Sequence, residues 1–290
     1  MTIFAALGDS ITLGIGDPVP AAPGGWRGWA PLLAAGLPGA RLHNLAVSGA
    51  LSRDVEREQL PRALELRPDL AAVIVGVNDT LRHDFDPARV SGALAHTVGA
   101  LRASGARVLT MRLPDAGRMF GLPGVLARPL ARRMAVVNEV FDALAERFGT
   151  VHFDAAAHPA TYDRRMWSVD RLHPSERGHR FIAAEFFDLL AAAGVPVGAR
   201  PGAEPTSAAP TRRQQFGWLA TKGTRWLWDR STDLLPGLFL LAAREALGRP
   251  AVPALTRSAP PPGVSQPGQL GSVACPVPTV APPTSSVPSG

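Results

Sequence analysis

A single cysteine, Cys275, is all the thiol chemistry this chain has. It excludes an intrachain disulfide and any cysteine-based metal cluster. The fold therefore asks for no oxidising compartment, and a cytoplasmic location is expected. Long hydrophobic runs are lacking too: none approaches the ~20 residues of a membrane-spanning helix. Met1-Thr2-Ile3-Phe4 has no basic region followed by a long apolar stretch, so it does not read as a secretory signal. There is no G-x-x-x-x-G-K-[ST] and no G-x-G-x-x-G after a strand-like run, which leaves nucleotide binding without support. G-x-S-x-G, the nucleophile elbow of another hydrolase fold, is also missing. His43, His83, His96, His152, His158 and His179 show no ligand spacing, so no metal and no cofactor is expected.

Lysine is almost absent, Lys222 being the only one, so the basic charge is carried by arginine. Its distribution is uneven. Residues 1–196 hold 21 basic and 20 acidic side chains, whereas residues 197–290 hold 9 and 4, and the net charge of +6 thus belongs mainly to the C-terminal third. These cations are too few and too dispersed for a nucleic-acid footprint. With 46% hydrophobic and 19% charged residues there is ample material for a buried core.

What is present up to residue 195 is an alternation of short apolar runs and longer helical patterns. Strands are expected at 2–7, 41–47, 69–75, 107–113 and 151–154, and helices near 27–36, 53–66, 87–104, 128–148 and 175–193. The strand runs lack polar alternation, which suits a parallel sheet covered on both faces. Repeated strand-then-helix units imply a doubly wound α/β sandwich with right-handed crossovers. Beyond it the expected organisation is a linker at 196–210, an amphipathic helical segment at 211–249 and a proline-rich disordered tail at 250–290. Trp218, Trp226 and Trp228 lie among arginines there, so residues 212–247 are candidates for packing on the first domain, for a lid, or for peripheral contact with a membrane surface.

Three distant stretches carry the chemistry. Gly8-Asp9-Ser10 follows the first strand run, Gly76-Val77-Asn78-Asp79 follows the third, and Asp170-Arg171-Leu172-His173 precedes Pro174 and the last helical pattern. A serine hydroxyl is a poor nucleophile unless a base lies within hydrogen-bond reach and a third group orients that base. Ser10 is the candidate nucleophile, His173 the general base and Asp170 its orienter. Pro174 disfavours helical geometry at residue 173, so a loop can bring Asp170 back onto the imidazole. Oxyanion stabilisation needs donors, each worth roughly 3–4 kcal/mol of barrier. The candidates are the backbone N–H of Ser10, the N–H of Gly49 after the second strand, and the side-chain amide of Asn78. Asp9 is expected to hold its loop, and Asp79 to cap the next segment or to fix the Asn78 loop. Strand ends are where ligands bind in open α/β sheets.

Taken together these motifs resemble the SGNH hydrolases, or GDSL esterases/lipases. That family's serine, glycine, asparagine and histidine match Ser10, Gly49, Asn78 and His173 in order, over residues 1 to about 195. The resemblance implies a flavodoxin-like three-layer α/β/α sandwich with a five-stranded parallel sheet. It also implies metal-free hydrolysis of a small-molecule ester through an acyl-serine at a shallow, open site. An acyltransferase, a thioesterase or a carbohydrate O-deacetylase would use the same triad. A non-catalytic membrane-surface binding protein on this scaffold is the alternative from another class. The oligomeric state has no signature in the sequence.

Overall fold

The inner strand runs are apolar enough to be covered on both faces, and the partly buried second and fifth runs take the edges. In the computed structural model, residues 1–19, 25–121 and 123–206 are described, all within one compact unit. The strands are β1 Thr2–Gly8, β2 Ala40–Asn44, β3 Leu70–Ile74, β4 Arg107–Arg112 and β5 Val151–Asp154. All are parallel, in the order β2-β1-β3-β4-β5. This is the flavodoxin-like doubly wound order, whose switch point lies between β1 and β3. The helices are α1 Ser10–Leu13, α2 Trp29–Ala35, α3 Ser52–Asp54 continuing through a π turn Val55–Gln59 into α4 Leu60–Leu66, α5 Val77–Leu81, α6 Pro87–Ala103, α7 Ala116–Phe120, α8 Gly124–Phe148 and α9 Glu176–Ala192. Among them none is long and apolar enough to cross a membrane.

The core is built around β1 and β3. Ala5 pairs with Ala71 and Ala6 with Ala72, and all four are fully buried. Such small side chains at the centre of the sheet let the covering helices come close. On one side Trp29 of α2 lies 6.3 Å from Phe4 and 5.3 Å from Phe186 of α9, and Phe186 lies 5.8 Å from Phe153 of β5. This run of aromatic rings fixes α9 across the sheet, each contact adding to area burial by about 0.5–1.5 kcal/mol.

Two expectations about boundaries are corrected. β2 ends at Asn44, not at 47, because the Asn44 side chain accepts the Ala46 N–H and donates to the Thr12 carbonyl. The chain still tracks β1 beyond that point, through Leu45 N–H to Ala6 O and Val47 N–H to Gly8 O. Residues 196–206 do not behave as a linker. Val195 and Val197 pack on the core, Gly198 N–H donates to Gly36 O, and the Thr206 N–H and hydroxyl both donate to Glu176 Oε1. That same oxygen accepts from Arg27 at 2.8 Å and Arg180 at 3.0 Å, so the last described residues are tied to the start of α9. The expected remainder of the linker, the 211–249 segment and the 250–290 tail lie outside the described residues.

One polar side chain deep in this core has a positional role. Buried Gln59 accepts the Gly8 N–H at 2.8 Å and donates to the Gly8 carbonyl at 2.9 Å. It closes both backbone groups of the last residue of β1, just before Asp9 and Ser10. The π turn that ends at Gln59 is an irregularity of a kind often found at functional sites. Gln59→Leu leaves the buried Gly8 N–H without a partner, while the Gly8 carbonyl keeps the Val47 N–H. At about 1–3 kcal/mol for one orphaned buried group, the variant is expected to lose about 1–3 kcal/mol of unfolding free energy in urea. A loss under about 0.5 kcal/mol would show that the pair does not hold the strand end.

Candidate active site

Ser10 stands at the carboxyl end of β1 as the first residue of α1. Asp9 caps that helix, its Oδ1 accepting the Ile11 N–H at 3.0 Å. As a first-turn residue Ser10 has a backbone N–H without an intrahelical acceptor, at the positive end of the helix. Its hydroxyl lies 2.9 Å from Nε2 of His173, a residue 163 positions away. His173 Nδ1 lies 2.6 Å from Asp170 Oδ2. The three sequence candidates for nucleophile, base and orienter are therefore joined by two consecutive hydrogen bonds, with Ser10 and His173 both buried.

The local fold explains how the imidazole is presented. Trp167 and Pro174 form an antiparallel bridge, and Ser168 N–H donates to His173 O, closing residues 168–173 into a short hairpin. Inside it Asp170 Oδ1 accepts from the Ser168 hydroxyl at 2.6 Å, Leu172 N–H at 2.9 Å and His173 N–H at 3.0 Å. Burial pushes this carboxyl up, but the hydrogen bond from His173, its charge and the donors from Ser168 and the backbone outweigh that and hold it at about 2. It is ionised at neutral pH, as an orienter of imidazole must be. Ser168 was not among the sequence candidates, although its place two residues before Asp170 is a local signal for such a bond.

On the other side of Ser10, the 45–50 turn and α5 carry the remaining candidates. Gly49 sits in the turn at φ 82, which an L side chain rarely adopts. Its N–H has no acceptor among the described residues. Gly76 precedes α5 at φ 131, and a Cβ there would come 2.8 Å from Val137 Cγ1. The close approach of α8 thus requires glycine two residues before Asn78. Asn78 Nδ2 donates to Ala50 O at 3.1 Å and, more weakly, to Asp9 Oδ2 at 3.3 Å. Of the two readings open for Asp79, the structure has the second: its carboxylate accepts from Ser52 N–H at 3.0 Å and Ser52 Oγ at 2.7 Å, fastening α5 to the end of the Gly49 turn. Buried Arg133 of α8 donates to Thr80 O and Arg82 O at the far end of α5. Neither Gln59 nor Arg133 has a local sequence signal, since each acts on a segment about 50 residues distant.

Asp9 holds its turn as expected, and its ionisation is unusual. Burial pushes its carboxyl up to about 7, against the opposing pull of the Ile11 N–H and of the His173 charge. Two carboxyls beside one imidazole are thus held at opposite ends of the carboxyl range. Among the described residues no cluster of three His, Cys, Asp or Glu side chains could hold a metal ion.

A carboxyl whose folded value is raised contributes stability that is complete below its unfolded value near 4 and is lost as pH rises through about 7. Asp9→Asn lacks this titration. The unfolding free energy of Asp9→Asn minus that of the wild type is therefore expected to grow between pH 4 and pH 7 and to level off above. A difference independent of pH over that window would show that the buried carboxyl is ionised throughout.

Comparison with known proteins agrees with this fold. The model of the GDSL-like Lipase/Acylhydrolase family matches residues 6–181. Solved structures with the same fold include LAE5, an alpha/beta hydrolase enzyme from the metagenome of Lake Arreo, Spain (25% identity, 67% of this chain and 95% of that one covered, TM-score 0.52). The lipase/acylhydrolase from Enterococcus faecalis is 19% identical, with 72% of this chain and all of that one covered (100%) at a TM-score of 0.53. The acetylxylan esterase Axe2 from Geobacillus stearothermophilus is 21% identical, with 65% and 94% covered at a TM-score of 0.51. No curated protein matches the chain by sequence.

Proposed function

This chain belongs to the GDSL-like lipase/acylhydrolase family, and we propose that it is a serine esterase acting on carboxylic esters of small molecules, with Ser10, His173 and Asp170 as its triad. The observation that carries the proposal is the continuous chain from the Ser10 hydroxyl through His173 to an ionised Asp170, at 2.9 and 2.6 Å. A buried serine in that relation to an oriented imidazole has the arrangement needed for proton transfer to Nε2.

In the proposed reaction Ser10 Oγ attacks the ester carbonyl carbon while its proton passes to His173 Nε2. Asp170 stabilises the imidazolium and stays ionised. The negative charge forming on the carbonyl oxygen meets the N–H groups of Ser10 and Gly49 and the amide of Asn78. For Asn78 to serve, one of its two N–H bonds must turn from Ala50 or Asp9 towards that oxygen. The long bond to Asp9 is the easier one to exchange. Collapse of the intermediate breaks the bond to the alcohol oxygen, which leaves with the proton from His173. Water attacks the acyl-serine with His173 again as base, and the acid is released.

Beneath the hairpin is an apolar cavity of about 30 Å³ between Ile11, Met111, Trp167 and Phe181. It has room for a small group and not for a fatty chain. This supports an open binding surface, on which a thioester or a second acceptor alcohol could also react. Product analysis with added alcohol acceptors separates hydrolysis from transfer.

Ser10→Ala is expected to abolish both ester hydrolysis and labelling by a fluorophosphonate probe while leaving the melting temperature close to that of the wild type. Substantial residual turnover of p-nitrophenyl acetate by this variant would refute the assignment. Asn78→Ala is expected to lower kcat by on the order of 10²–10³ with little change in KM. Asp170→Asn, which loses the charge but keeps the size, is expected to lower kcat by roughly 10⁴. A tenfold effect or less at either position would remove that residue from the proposed machinery.

A further inference from the structure

The imidazole that takes the Ser10 proton must hand it to the departing alcohol. The alcohol oxygen therefore lies within reach of His173 Nε2, and the rest of the alcohol extends over the elements around that ring. This step rests on the esterase reading above. The exposed tip of the hairpin is one of those elements, and it carries Arg171, two residues before His173.

Arg171 is unusual in two respects. It is held at φ 56, a left-handed conformation that suits glycine or asparagine better than a long side chain. The hairpin enforces it: Arg171 N–H donates to Ser168 O, while Asp170 Oδ1 takes the N–H groups of Leu172 and His173. Strained positions of this kind cluster at ligand sites. Its guanidinium also makes no hydrogen bond or ion pair among the described residues. Other arginines do: Arg165 pairs with Asp163, Arg177 with Glu204 and Arg200 with Asp188.

The side chain reaches across to the turn after α7, where Nη1 would lie 3.9 Å from a Cβ placed on Gly121. On that same short helix Arg118 lies over the Tyr162 ring at 3.6 Å. The carboxylates nearby are already engaged. Asp115 caps α7 through Gly117 and Arg118 N–H, and Asp170 is enclosed in the hairpin. The exposed hairpin tip thus presents a guanidinium that has no carboxylate partner among the described residues.

We propose that Arg171 selects the alcohol portion of the substrate, favouring esters whose leaving alcohol bears a carboxylate or a similar oxyanion. A planar guanidinium with unused donors matches such a group in a two-point contact that a neutral alcohol cannot make.

The test compares two acetyl esters that differ only in that charge, those of 4-hydroxybenzoate and of methyl 4-hydroxybenzoate. The quantity read is the ratio of kcat/KM for the anionic ester to that for the neutral one, in the full-length protein. Any intrinsic difference between the two leaving groups cancels when a variant's ratio is divided by that of the wild type. Arg171→Gly and Arg171→Asn are expected to lower the ratio about five- to tenfold. Arg171→Lys, which keeps the charge but loses the two-point fork, is expected to lower it by a smaller factor than Arg171→Gly, and added salt to lower the wild-type ratio. Glycine and asparagine adopt φ 56 readily, so neither variant is expected to melt below the wild type, and a change in ratio cannot then be blamed on misfolding. If Arg171→Gly keeps the ratio within twofold while still cleaving the neutral ester, the selectivity assignment is wrong and the esterase reading stands. If the wild type cleaves neither ester, the esterase reading fails and this inference fails with it.

Discussion

A hydrogen bond of 2.9 Å between residues 163 positions apart, Ser10 and His173, is the contact on which the rest of this structure depends. Its two ends belong to different parts of the fold. Ser10 is fixed by the end of β1, itself paired on both sides and clamped by Gln59. His173 is delivered by a hairpin at the head of α9. That helix is located by Phe186 packing between Trp29 and Phe153, and by the Glu176 cluster that joins Arg27, Arg180 and Thr206. One helical turn is about 5.4 Å, so a slip of α9 by even a fraction of a turn would open the bond. The dense aromatic packing on that face and the residues 196–206 that brace it can be understood as the means of preventing such a slip.

Two buried carboxyls, Asp9 and Asp79, and the half-buried Asp170 lie close to the site, and their surroundings treat them differently. Asp170 receives three donors and a basic ring and is held at about 2. Asp9 has one backbone donor and a weak amide contact, and burial takes it to about 7. Asp79 is also raised by burial, against the two bonds it accepts from Ser52. The number of donors decides which carboxyl stays ionised in a medium that disfavours charge. Under the proposed mechanism the firmly held negative charge lies where the imidazolium forms. The easily neutralised one lies towards Asn78, where an oxyanion would have to compete with it. Such divergent titration of neighbouring groups is how one site separates its acid–base roles.

Much of this was legible in the chain. The runs of β1, β3 and β4 are apolar without alternation, as strands covered on both faces require, whereas the edge strands β2 and β5 are only partly buried. Each of the five lies within a few residues of its expected place. Ser10, Asn78 and His173 could be singled out as candidates because ligand-binding groups in such sheets lie at strand ends, and their motifs are local. Where boundaries differed, a side chain had overridden the hydrophobic pattern. Asn44 ended β2 early, and α8 runs back to Gly124 because Pro129, one turn in, does not stop it. Residues 196–206 carry the proline and glycine of a linker, yet Val197 and Thr206 find partners on the hydrolase unit that composition cannot reveal.

The sequence by itself determined which residues could do chemistry and in which layer order the chain would fold, because hydrophobic period and short motifs are properties of neighbours along the chain. Only the tertiary structure decided that the hydroxyl, imidazole and carboxylate meet, that Asp9 and Asp170 titrate apart, and that Arg171 has no partner among the described residues. Those outcomes depend on distances and burial between segments that sequence spacing does not encode. Gln59, Arg133 and Glu176 show the reason most plainly: each is unremarkable in its own stretch of chain and acquires its role from backbone or charge that folding brings to it from far away.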